Sequence, residues 1–113
     1  MNLSAKEADG ITILELQGSV MGGPDANALN EELHKLIAKK KKRIVLDLSK
    51  IQSMNSSGLG MLIGALTAVK NSGGELKIAA ASNKIESLLV ITKLTTVFEI
   101  FPTVQKAVGS FSK

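Results

Sequence analysis

Cysteine, tryptophan and tyrosine are absent from these 113 residues, and histidine occurs once. Without cysteine there is no thiolate nucleophile, no cysteine-ligated metal and no disulfide frame. That absence suits a reducing compartment, and a cytoplasmic location is expected. The aromatic residues are three phenylalanines. None interleaves with the one basic run, so the stacking platform of a single-strand binder is missing. No direct nucleic-acid partner is expected. Long apolar runs are missing too, since no stretch approaches the roughly 18 residues that a membrane span needs. The start, Met1-Asn2-Leu3-Ser4-Ala5-Lys6-Glu7, lacks the apolar region of a signal peptide. Membrane insertion is not expected. No linker, repeat or low-complexity segment divides the chain, so one domain over residues 1–113 is expected.

What is present is enough apolar material for a core, 44% of the residues. The formal net charge is +4. Much of it lies in Lys39-Lys40-Lys41-Lys42-Arg43, which follows a helical pattern. There the cations would sit at the partly negative carboxyl end of a helix, as a solvated cap.

The elements alternate. Leu3–Ala8 and Ile11–Gln17 read as strands joined by Asp9-Gly10, a strong two-residue hairpin signal. Gly18–Pro24 reads as a loop. Pro24-Asp25 opens a helix with a buried stripe at Leu29, Leu33, Leu36 and Ile37. Glu31 and Lys35 are placed to pair on its wet side. Arg43–Leu48 is a nearly continuous apolar run, as a central covered strand requires. A polar loop from Ser49 to Asn55 should follow. Ser56–Lys70 then reads as a helix burying Leu59, Leu62, Ile63, Leu66 and Val69, stopped at Gly73-Gly74. Glu75–Ala80 reads as a strand. Ser82 or Asn83 caps a helix that buries Ile85, Leu88 and Leu89. Val97–Phe101 reads as the last strand, and Pro102-Thr103 starts a terminal helix to about Val108. The expected fold class is α/β, with a mixed sheet of four or five strands and about four helices.

Enzyme chemistry has little to work with. His34 lies within the first helical pattern, and no base accompanies the serines, so nucleophilic catalysis has no activation. Gly18–Pro24 lacks the Gly-Lys-Ser/Thr ending of a phosphate loop. Asp47, at a strand end, is expected to accept backbone N–H groups of the following turn. No catalytic residue, metal or cofactor is expected.

The informative stretch is Asp47-Leu48-Ser49 followed by Met54-Asn55-Ser56-Ser57-Gly58-Leu59-Gly60. It places a polar Asn-Ser-Ser cluster where a helix begins, and there the first N–H groups lack partners and the dipole is positive. One side chain is expected to cap the helix, Ser56 in the first instance. Ser57 is left as an outward hydroxyl beside Gly58, where no side chain blocks approach. By residue type alone, a serine pair at a helix start is usually just a cap.

These residues resemble the signature of the STAS domain family, named for sulfate transporters and anti-sigma-factor antagonists. The similarity covers nearly the whole chain and resembles most the antagonists. Asn55 departs from their pattern, which has Asp at that position. The resemblance implies a partner-switching protein phosphorylated at Ser57. It further implies an anti-sigma factor with serine kinase activity as partner, and a serine phosphatase as the resetting enzyme. The partner surface is expected to comprise Ser53, Met54, Asn55, Ser56, Ser57 and Gly58, with Gly22 and Gly23 of the adjacent loop. The alternative within the family is an unphosphorylated interaction module, such as a subunit of a lipid-transport ATPase complex.

Overall fold

The computed structural model describes residues 1–111. Five strands form one sheet in the order β1-β2-β3-β4-β5. They are β1 (Asn2–Ala8), β2 (Ile11–Val20), β3 (Arg43–Met54), β4 (Glu75–Ala79) and β5 (Glu99–Phe101). The helices are α1 (Pro24–Ala38), α2 (Ser56–Asn71), α3 (Asn83–Ile91) and α4 (Val104–Ser110), with a 3₁₀ turn at Leu94–Thr96. Among the described residues only the β1–β2 pair is antiparallel. Its turn has Asp9 at φ 55° and Gly10 at φ 78°. Positive φ at both positions is the two-residue geometry whose twist matches the flanking strands.

β3 is the middle strand, paired in parallel with β2 and β4. Every residue from Ile44 to Leu48 is buried. Ile44, Leu46 and Leu48 meet the main core, which is built with α1, α2 and α3. Val45 points the other way into a smaller cluster with Ile11, Ile13, Ala79 and Ala107 of α4. Three helices therefore cover one face and α4 alone covers part of the other. α4 is held by Lys77, a buried cation on β4. Its Nζ donates to Ser110 Oγ at 2.6 Å and pairs with Glu99 at 3.2 Å. The same ammonium lies 4.1 Å from the Phe111 ring centroid. No helix among the described residues is long and apolar enough to cross a membrane.

Several boundaries differ from the sequence reading. β3 continues through the expected Ser49–Asn55 loop to Met54, because Ile51 and Met54 bury while their polar neighbours stay at the surface. β2 likewise runs through Gly18 to Val20, with register shifts between Glu15/Gln17 and Gly18/Ser19. Those irregularities let a polar, glycine-containing stretch stay paired. The last strand starts at Glu99, because Leu94–Thr96 is a 3₁₀ turn and Val97 is exposed. β4 stops at Ala79, since Ala80 takes a left-handed φ of 59°. Ile63 is 38% exposed and does not face the sheet. The buried side of α2 runs through Leu59, Leu62, Leu66 and Val69 and widens toward Met61 and Ala65 instead. Ile37 and Leu88 are half-buried. Glu31 and Lys35 are exposed and form no ion pair with one another. The basic run leaves the helix at Lys39: Lys41 pairs with Glu7, and Lys42 Nζ donates to the Ser72 carbonyl at 2.6 Å.

Candidate functional site

In the parallel part of the sheet, each strand delivers its carboxyl end to the amino end of a helix. α1, α2, α3 and α4 thus all begin at one pole of the molecule, where loops are free to carry function. The β3–α2 junction has no loop at all beyond one residue, Asn55. Asn55 is the N-cap of α2: its extended backbone ends the strand, and its Oδ1 accepts the Gly58 N–H at 2.8 Å. Its carbonyl accepts the Leu59 N–H at 3.0 Å. The cap is therefore Asn55, not Ser56 as expected. A short side chain with a planar acceptor meets the third N–H of the helix better from the extended residue than from one already inside it.

With the cap supplied by Asn55, both serines are free. Ser56 and Ser57 are exposed, and neither hydroxyl takes part in a hydrogen bond among the described residues. Ser57 occupies the first turn, whose N–H groups have no helical acceptor and whose dipole end is positive.

The two glycines beside Ser57 act differently from one another. Gly58 is buried. A Cβ there would stand 2.0 Å from the Val20 carbonyl oxygen and 2.9 Å from Met54 Cγ. It faces inward, letting α2 sit directly on the end of β2, and does not lower the outer surface. Gly22 lies over Ser57: a Cβ on it would fall 2.7 Å from Ser57 Cβ, and its φ is 83°. The Met21–Gly23 turn is thus laid against the serine. Asp25 steadies it by accepting the Met21 N–H at 3.2 Å and donating its own N–H to the Gly22 carbonyl at 3.1 Å.

The structure brings Asn55, Ser56, Ser57, Gly22 and Gly23 together at this pole. Met54 is different: it is 8% exposed and packs under Gly58 within the core. Ser53 is half-buried, its hydroxyl 2.8 Å from that of its register partner Ser19. Sequence reasoning missed Val20, whose carbonyl accepts the Asn55 N–H at 3.4 Å and receives Gly58. A glycine three residues into a helix, where alanine is preferred, was the available signal. Met21, inside the Gly18–Pro24 loop but not singled out from the sequence, is an apolar side chain 43% exposed in the turn over Ser57.

Charge is sparse here. Asp47, 6% exposed, accepts the Ser49 N–H at 3.0 Å, a backbone role as expected. Farther along the β2–β3 pair, Gln17 Nε2 donates to Glu15 at 2.7 Å and Lys50 pairs with it at 3.2 Å. The Gln17 hydrogen bond and the Lys50 ammonium hold the Glu15 carboxyl below the usual carboxylate range. Among the described residues no group of three or more His, Asp or Glu is placed to hold a metal ion.

Comparison with known proteins adds three findings. A family model described as the STAS domain matches residues 2–107. Among curated proteins, a candidate anti-sigma factor antagonist of Thermotoga maritima is 31% identical over 65 residues. That alignment spans 58% of this chain and 58% of the relative. The anti-sigma F factor antagonist of Paenibacillus polymyxa is 26% identical over 105 residues, 92% of this chain and 86% of the relative. Among solved structures, that of a candidate anti-sigma factor antagonist from T. maritima superposes with a TM-score of 0.88. It covers 98% of this chain and 95% of the other at 23% identity, a likeness of fold.

Proposed function

The chain belongs to the STAS domain family, and from that premise we propose that it is an anti-sigma factor antagonist switched by phosphorylation at Ser57. The observation that carries the reading is the free hydroxyl of Ser57. It is exposed, unbonded and set at the first turn of α2, while Asn55 does the capping. A kinase can therefore take the hydroxyl without dismantling the helix end. In this reading the protein binds and does not catalyse, and its partner is an anti-sigma factor with serine kinase activity. A serine phosphatase resets it.

The physics of the switch is local. A phosphate brings about −1.5 to −2 charges. The positive end of α2 tolerates that charge, so the fold survives. A partner seated on the same turn would meet a new, solvated charge in its contact surface and be expelled by repulsion and desolvation cost. Gly22 covers one side of Ser57, so the phosphate must project away from the Met21–Gly23 turn, toward the partner. No movement of the sheet is required.

The test has two parts. Incubation with the cognate kinase and ATP, followed by site mapping, should give one phosphate on Ser57. Ser57→Ala should abolish labelling, and Ser56→Ala should leave most of it. Calorimetric titration against the anti-sigma factor should show Ser57→Asp binding weaker by more than about 1 kcal/mol, as for a central contact. Labelling that persists in Ser57→Ala would refute the site. One observation favours a second reading. Asn55 carries a neutral amide beside the acceptor hydroxyl where a carboxylate would assist recognition. If a verified kinase leaves the protein unlabelled while Asn55→Asp becomes a substrate, the chain is an unswitched interaction module.

A further inference from the structure

The face of the sheet opposite α1, α2 and α3 is only partly covered. α4 spans seven residues and rests mainly on β3, β4 and β5. Between it and the β1–β2 hairpin runs a groove of about 420 Å³. Its walls are Ile11 and Ile13 from the sheet and Val104, Val108 and Phe111 from the helix side. That volume falls within the range of small-molecule sites. At one end stands Arg43, the first residue of β3, which also lines a second, polar cleft of about 540 Å³. Lys40, Lys41 and Lys42 share that cleft. The apolar groove therefore opens directly into a cluster of cations.

The charges are not all committed. Lys41 is neutralised by Glu7, and Lys42 is turned to the Ser72 carbonyl. The side chains of Arg43 and Lys40 have no ion pair or hydrogen-bonded partner among the described residues. Lys40 is exposed and takes a left-handed φ of 62°. The carboxylates nearby are Asp9 in the groove wall, and Glu7 and Glu75 in the cleft. Glu7 is spent on Lys41. A guanidinium at the mouth of an apolar trough selects one chemistry: a hydrocarbon chain that ends in an anion.

We propose that this groove binds a single-chain anionic amphiphile, its tail between α4 and Ile11/Ile13 and its head on Arg43 and Lys40. The site lies at the opposite end of β3 from Ser57 and is independent of the switch reading. A monoalkyl phosphate or a fatty carboxylate fits both halves. Its head group exchanges water for a planar, bidentate donor.

Dodecyl phosphate, kept below its micellisation concentration, is the probe, and the full chain labelled with ¹⁵N is the target. Saturable shifts are expected at the amides of Ile11, Ile13, Val104 and Val108. Arg43→Gln should weaken binding roughly tenfold, the worth of a charge-assisted hydrogen bond. Asp9→Asn keeps the hairpin turn, since Asn-Gly is favoured there; it should bind more tightly because one competing carboxylate is gone. Ser57→Asp should bind as wild type does. Dodecanol and inorganic phosphate should each bind far more weakly than the amphiphile. Equal binding of inorganic phosphate would reduce the site to a basic patch. Equal binding of dodecanol would remove the role of Arg43. Shifts scattered outside the groove, or Arg43→Gln and Asp9→Asn both binding as wild type, would overturn the proposal.

Discussion

Alanine at Gly58 would place a methyl carbon 2.0 Å from the Val20 carbonyl oxygen and 2.8 Å from its carbonyl carbon. Ordinary contacts at such a carbon begin at 3.4 Å, so α2 and β2 must separate by more than an ångström. Neither side yields cheaply, because both are backbone. The Val20 carbonyl also accepts the Asn55 N–H, and that bond lengthens with the same movement. Overpacking of this kind costs about 1–3 kcal/mol. Losing the bond adds roughly 0.5–1.5 kcal/mol. Alanine returns roughly 0.5–1 kcal/mol through its better helix propensity. The net expectation is a loss of roughly 0.5–4 kcal/mol. Gly60 and Gly64, in the same helix, have open space where a Cβ would go. Alanine there should be neutral or stabilise by up to about 1 kcal/mol. Urea unfolding of the three variants, followed by far-ultraviolet circular dichroism, separates the two cases. The reasoning fails if Gly58→Ala is as stable as wild type, or if Gly60→Ala loses as much.

Leu62 is fully buried, so Leu62→Ala should cost about 2–5 kcal/mol in the same assay. Asn55→Ala should cost about 0.5–2 kcal/mol by removing the α2 cap, whereas Asn55→Asp should keep it. Lys77→Ala removes the ammonium that bridges Glu99, Ser110 and the Phe111 ring. Amide exchange in α4 should then quicken while α2 stays protected. Glu15 has its carboxyl held low by Gln17 and Lys50, so its stabilising contribution is complete above the ordinary carboxylate range. It is lost as the pH falls through the lowered value. The stability gap between wild type and Glu15→Gln should therefore shrink in acid; a gap unchanged from neutrality to strong acid would show the contacts to be idle.

The core was largely legible because burial writes itself into residue type. Ile44–Leu48 announced a strand covered on both faces, and Leu29, Leu33 and Leu36 announced one side of α1. The extensions of β2 and β3 were not legible. Ser49, Lys50, Gln52 and Ser53 read as loop residues, and only pairing with Gln17–Val20 makes them strand. Local composition cannot report a partner thirty residues away. At the site, the Asn-Ser-Ser cluster located the helix start correctly but pointed to Ser56 as the cap, where the structure has Asn55. The direction in which Gly58 faces depends on helix phase against β2, which no single segment encodes. Ile63 failed for a related reason: the buried arc of α2 is fixed by how the helix lies on the sheet. Lys77 gave no sign at all, because a lone lysine in a strand reads as solvated until Phe111 and Glu99 are brought to it.

Asn55 takes the capping work and leaves the Ser57 hydroxyl outside every hydrogen bond among the described residues. Chemistry at that oxygen is then nearly uncoupled from the unfolding equilibrium. A mark placed there would not raise the population of opened molecules on which proteases act. The marked form would be opened no more often than the unmarked one, since an anion is favoured at a helix amino end, and the ratio of the two would chiefly record the balance of the enzymes that write and erase the mark.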